Sequence, residues 1–428
     1  MAEGDLGDFV GVEADQAPKP LTIGMRFFGD GAYFMGGSSV MRPGLAITNA
    51  RIRATFRHGA WLFFADCDFA YGRFSQKDLF VRYRLGDQSP VQHDFVFGYY
   101  IEPATMSRNS GEGALHFMFL AAPAAALTPG RALGFSYRVR GPWYYAQQGV
   151  FTPDLYNAQA TRGQRWAISG RWLLRWLCEA GCGAHVGVNA RYLLLPRGSD
   201  ADGTLRSVLV YKSPLENKVD TRWDGLSVEV PWTRSTVGLG VEALLVAGHF
   251  FARCEWLCNW VSKARNDELA FVAQGGKLDT PGALAAWIDA NPLATSRFRG
   301  TYVEMGYQIT GPGYSYNSEN AVLGDSKNAG ALEVVARYSY TNLNSIFEGE
   351  EYRPELKRYT LPGTGLAALG EGRSVAGGIL HAATLGVNYA VTNHVKLMAS
   401  YLLGNMQHPA YPSNSWVHAI QGRLSFTF

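Results

Sequence analysis

The last twelve residues, Val417 to Phe428, alternate strictly between two kinds of side chain. Ile420, Gly422, Leu424, Phe426 and Phe428 fall on one side, and Ala419, Gln421, Arg423, Ser425 and Thr427 on the other. A period of two with one apolar and one polar face is the signature of a half-buried strand. Here it runs to the final residue and ends on an aromatic. Chain ends in water usually fray. A barrel closed within a bilayer needs its last strand fully paired, because an open edge in lipid leaves backbone groups unsatisfied. The pattern predicts an all-β fold, a transmembrane antiparallel β-barrel.

Segments of about ten alternating residues recur through most of the chain. Ala50, Ile52, Ala54 and Phe56 alternate with Arg51, Arg53, Thr55 and Arg57; after a turn at His58-Gly59, Trp61 to Phe69 alternate with Asp66 and Asp68 among them. Leu79, Val81 and Tyr83 face away from Asp78, Arg82 and Arg84, and Leu133 to Val139 oppose Ser136, Arg138 and Arg140. Similar segments continue to the last strand, and closure with an even number of strands predicts about sixteen. Aromatics at 13% and charged residues at only 18% suit aromatic girdles around a lipid-facing band. The longest apolar run, Leu115 to Leu127, is too short for a spanning helix and contains His116 and Pro123.

Residues 102–131 break the alternation, and 104–131 reads as a long loop with a compact apolar piece from Phe117 to Leu127. Its length marks it as functional. It either folds inward and narrows a pore or packs as a surface loop on a neighbouring subunit. Residues 264–298 and 344–374 are turn-rich and read as extracellular loops. The acidic N-terminus lacks a basic region and apolar core, so it reads as a mature start, with residues 1–20 as a periplasmic extension and 21–428 as one barrel.

If the apolar faces meet lipid, the opposite faces line the lumen. That places inside Arg51, Arg53, Arg57, Arg82, Arg84, Arg138, Arg140, Arg165, Arg171, Arg175, Arg191, Arg253 and Arg337, with Arg423 on the last strand. Asp66, Asp68, Asp94, Glu242, Glu255 and Glu333 share those faces and are outnumbered about two to one. Arginine toward lipid would cost roughly 2–4 kcal/mol at midplane. Rings of arginine favour anions, and guanidinium grips phosphate bidentately. The same residues could instead brace the wall by pairing with acids on adjacent strands. Both roles stay open for each of them.

Other chemistries find little support. Net charge is only +3 and the basic residues are dispersed, unlike a nucleic-acid-binding surface. The nine histidines form no His-x-x-x-His pair that would hint at zinc, and Gly363-Thr-Gly365 lacks the Lys-Ser/Thr of a phosphate loop. No enzyme, cofactor or metal is expected. Cys178 and Cys182 flank a tight hairpin within disulfide reach, with free thiols as the alternative. Cys254 and Cys258, roughly 13 Å apart on one strand face, cannot bond.

Several stretches in order along the chain resemble the phosphate-selective porin O/P family. These are Arg51-Ile-Arg53, Asp66-Cys-Asp68-Phe, Glu242 through Trp256, Tyr302 through Gly311, Gly330 through Tyr340, Leu385-Gly-Val-Asn-Tyr389 and the closing Gln421 to Phe428. The resemblance covers nearly the whole chain from Gly24. It implies a sixteen-stranded outer-membrane barrel, a homotrimer with an inward third loop over Ser107–Arg131, and an anion path including Arg51, Arg53 and Arg337. The central lysine cluster of strongly phosphate-selective members has no counterpart here. The expected activity is passive diffusion of small anions such as phosphate through a pore in the bacterial outer membrane, with lipid and lipopolysaccharide as surroundings. A general solute pore, or a docking barrel with an occluded lumen, are the alternatives.

Overall fold

The computed structural model describes all residues except 1–19, 37–40, 87–88, 154–164, 179–180, 196–207, 221–224, 274, 325–327, 350–373 and 408–414. Sixteen antiparallel strands form one closed barrel. Each follows its neighbour in sequence, and the first strand, Leu21–Met35, pairs with the last, Ser415–Thr427, to complete the ring. The register there runs from Arg26↔Thr427 to Met35↔His418. Phe428 and Met25 exchange both backbone hydrogen bonds, at 2.9 and 3.0 Å, so the chain end is paired to its last residue.

The alternation of the sequence becomes a two-sided wall. In Leu21–Met35 the side chains of Arg26, Phe28, Asp30, Ala32 and Phe34 are buried inside, while Ile23, Met25 and Phe27 are exposed outside. Trp166, Trp172, Trp176 and Trp256 likewise stand on the outer surface. Among the described residues no helix is long and apolar enough to cross a membrane.

Three segments between strands fold into the lumen. The first, 102–130, carries the short helices Met106–Asn109 and Ala122–Leu127. Its backbone is held by the far wall: Met106 N donates to Glu255 at 2.8 Å, and Asn259 donates to Leu127 O at 2.9 Å. Inward folding, not packing on a neighbour, is therefore its arrangement. The second, 208–232, is a hairpin of Leu209–Ser213 and Leu226–Val230. Leu215, Leu226 and Val228 pack with Ala122, Leu127, Leu380 and Leu402 in the largest buried cluster. The third, 311–331, contains the small hairpin Tyr316–Asn317 and Val322–Leu323. It enters from the barrel end that carries both termini, whereas the other two enter from the opposite end.

Some boundaries move. The inner loop ends at Gly130, because Arg131 already begins the strand Arg131–Arg140. The strand Ser296–Thr310 claims the last residues of the expected 264–298 loop, whose remainder holds the helices Asp267–Ala273 and Ala283–Ala290. The strand Leu332–Ser345 shortens the 344–374 loop, most of which lies outside the described residues, as does the expected extension 1–20 apart from Pro20. Across the turn at 178–182, Cys178 and Cys182 are joined as a disulfide with Cα atoms 5.4 Å apart; Cys67, Cys254 and Cys258 are free thiols.

Candidate anion pathway

Strand parity sets the inner wall. Asp78, Phe80, Arg82 and Arg84 are successive inward positions of Ser75–Leu85, and Ser136, Arg138 and Arg140 are those of Arg131–Arg140. Together with the three inner segments these strands enclose a cavity of about 180 Å³. Its cationic lining is Arg51, Arg53, Arg82, Arg108, Arg131, Arg138 and Lys218; its acids are Asp78, Glu112 and Glu319. Among the described residues, seven cations and three carboxylates line the cavity, while Asp66 and Asp94, just outside the lining, pair with Arg51, Arg53 and Arg138; low-dielectric walls focus the field of the remaining positive excess.

The pairing is uneven. Arg131 clamps Asp78 through two hydrogen bonds, at 2.9 and 2.8 Å. Arg51 donates to Asp66 at 3.2 Å and to Glu112 at 2.7 Å, and Arg53 to Asp66 at 3.1 Å. Among the described residues, Arg82, Arg84, Arg138 and Arg140 converge on Asp94 and Glu319. Arg84 and Arg138 reach Asp94 at 2.7 and 2.6 Å, Arg140 lies 3.3 Å from it, and Arg82 and Arg84 bind Glu319. Arg108 bonds to two neutral acceptors, Thr128 Oγ1 at 2.8 Å and Ala125 O at 3.1 Å. It makes no ion pair with a described carboxylate, although Glu112 on the same loop acts on it through space. Burial and the Arg131 charge lower its pKa to about 10, so it stays charged at neutral pH.

A second cavity of about 260 Å³ lies on the other side of the inner loop, lined by Arg131, Arg165, Arg191, Asn189 and Glu102 among others. Arg131 borders both spaces. Arg191 grips Glu102 at 2.8 and 2.9 Å.

The remaining arginines from the sequence face inward but away from these spaces. Arg171 clamps Glu242 at 2.6 Å and donates to the carbonyls of Asn320 and Ala321. Arg175 donates to Gly141 O and Ser318 O, Arg253 to Glu304, and Arg337 to Glu216 and Phe119 O. Arg423 holds Asp30 and Met118 O. These fasten the inner segments to the wall. Arg57 is half-buried at the terminus end of its strand. Thus Arg51, Arg53, Arg82, Arg138, Arg165 and Arg191 line one of the two cavities, while Arg84 and Arg140 stand just behind the first.

Lys218, Glu112 and Glu319 were not legible as site residues. Each sits on an inserted segment whose local pattern carries no sign of where it points. Arg26 was missed with its strand; it is buried beside Asn49 and Glu112. Of the acids, Glu255 binds backbone N–H groups of the inner loop and Tyr302, and Glu333 receives Tyr314, Asn388 and Lys396.

A family model described as phosphate-selective porin O and P matches residues 61–428. The chain belongs to this family. Solved structures of similar fold include the anion-selective porin from Comamonas acidovorans, with TM-score 0.53, 11% identity, and coverage of 95% of this chain and 99% of that one. The outer membrane channel DcaP of Acinetobacter baumannii gives TM-score 0.51 and 12% identity over 95% and 97% of the two chains. A loop-deletion form of OmpT of Vibrio cholerae gives 0.51 and 9% over 95% and 99%. At such identities the likeness is one of fold. No curated protein matches the sequence. The porin is an outer-membrane channel protein and not an enzyme.

Proposed function

We propose that this porin passes small anions, phosphate among them, by passive diffusion along an arginine-lined lumen narrowed by its inner segments. The observation that carries this reading is the excess of cations around the first cavity, including Arg108, which bonds to neutral acceptors. A charge bound in no ion pair to a described carboxylate, as at Arg108, is available to a mobile anion, and a ladder of guanidinium groups hands such an ion along without trapping it. That the fold is shared with a porin named for anion selectivity agrees with this. The outer apolar band would face lipid, with lipopolysaccharide at the loop end. A homotrimer follows from the family resemblance alone.

The test is the reversal potential of the purified protein in a planar bilayer under a KCl gradient, with phosphate then titrated in. A potential near the chloride value, with phosphate reducing the current, supports the reading. A potential near zero with robust conductance means a general solute pore. No conductance at all means an occluded barrel.

A further inference from the structure

We infer that the first cavity takes a single-ring aromatic carboxylate, its ring against the wall formed by Phe64, Phe80 and Tyr100 and its carboxylate toward Arg51 and Arg82. This rests on the anion-conducting reading and adds a ligand class to it. Hydrated phosphate calls for polar walls throughout. Here three consecutive strands turn aromatic rings inward: Phe64 and Phe80 stack with centroids 5.0 Å apart, and Phe80 meets Tyr100 edge-on at 5.7 Å. All three line the same cavity as the arginines. Phe119 of the inner loop lines it too and carries the Lys218 ammonium 4.4 Å above its ring. Aromatic faces thus accompany cations on two sides of one space.

The polar half is cationic. Arg51 and Arg82 line this space; Arg51 also binds Asp66 and Glu112, with its Nε 3.9 Å from Asp68, and Arg82 binds Glu319. Guanidinium groups on a cavity wall are where a carboxylate from outside would sit. The kind of acceptor is indicated by the molecule itself, because Arg82 and Arg84 already receive a carboxylate, that of Glu319. Size sets the rest. At about 180 Å³ the space falls below the roughly 300–1,000 Å³ of pockets for drug-sized ligands, so one ring with one carboxylate is what it accommodates.

The experiment compares inhibition of chloride current through the full-length protein in planar bilayers by benzoate and by acetate, which share a headgroup and differ by the ring. Benzoate is expected to act at concentrations about two- to tenfold lower, the usual worth of an added aromatic contact. Phe80→Ser should shrink that ratio toward one, each anion being referred to the variant's own current. If Phe80→Ser does not fold, Phe80→Leu, which keeps the volume and loses the ring, takes its place. Equal action of benzoate and acetate on the native protein overturns the inference while leaving anion conduction intact. A reversal potential without anion preference would instead sink the reading beneath it. An undiminished benzoate advantage in the Phe80 variant would also overturn the assignment of this wall.

Discussion

Glu319 accepts a hydrogen bond from Arg82 although the two are 237 residues apart in sequence, the first on an inner segment and the second on the barrel wall. With Asp94 it faces Arg82, Arg84, Arg138 and Arg140. Glu319→Gln removes one of those negative charges. We expect the reversal potential under a KCl gradient to move toward the chloride value, and the folded protein to lose roughly 3 kcal/mol because buried guanidinium groups lose their partner. A shift toward the potassium value would contradict the placement of Glu319 beside the conducting space.

The same residue sets a pH dependence. Burial works against ionisation of Glu319, but Arg82, Arg138, Arg84 and Arg140 outweigh it and hold its carboxyl far below the ordinary 4.5. The folded state therefore prefers the charged form more than the unfolded chain does. The stability this confers is present in full above pH 4.5 and drains away as pH falls below that value. Melting curves in detergent should show a gap between native protein and Glu319→Gln that is constant from pH 8 to about 5 and narrows in acid. A gap that widened in acid would refute the sign.

Arg171 and Arg82 should separate bracing from conduction. Arg171 is wholly buried, clamps Glu242 and fastens two carbonyls of the 311–331 segment, and it lies outside the first cavity. Arg171→Met strands Glu242 and is expected to cost roughly 3–5 kcal/mol, with ion selectivity of the surviving channels little changed. Arg82→Met should lower anion preference. Paired melting and reversal-potential measurements on both variants check this, and a selectivity change confined to Arg171→Met would invert the assignment.

Gly98 bears on the aromatic wall. Its φ of +142° is a left-handed conformation, and a Cβ there would sit 2.3 Å from Leu79 O and 2.6 Å from the Phe80 Cα. Gly98→Ala should destabilise the barrel by roughly 1–3 kcal/mol. Gly59, in the turn His58–Trp61, also has positive φ but has no atom within 4 Å of the added methyl. Gly59→Ala should cost only about 1 kcal/mol. Thermal melts of the two variants side by side would show the difference, and equal losses would mean that the Gly98 contact relaxes freely.

Strand parity was legible along most of the chain, because it is a local property. Ile420, Leu424 and Phe426 against Gln421, Arg423 and Ser425 state which side faces out before any partner strand is known. The same rule placed Arg51, Arg53, Arg82 and Arg138 inside, and all four line the cavity. The count of alternating segments, together with the rule that such barrels close with an even number of strands, gave about sixteen, although the first strand itself was missed. The partners were another matter. Asp66 could be expected to meet Arg51 and Arg53 because their strands adjoin, as they do at Arg53↔Asp66. Nothing local could pair Arg337 with Glu216, or Arg171 with the carbonyls of Asn320 and Ala321.

Side-chain alternation and the cost of charge in lipid act residue by residue, and so a closed barrel with an arginine-rich interior could be read along the chain. What fills the lumen follows from contacts between distant parts of the chain. The segments 208–232 and 311–331 have no period that distinguishes an outward loop from an inward one; their course depends on apolar contacts such as Leu215 with Leu380 and Leu402, and on ion pairs such as Glu319 with Arg82, formed between residues far apart in the chain. Those long-range contacts choose which arginines are neutralised and which still face open space, and that choice is a property of the folded molecule alone.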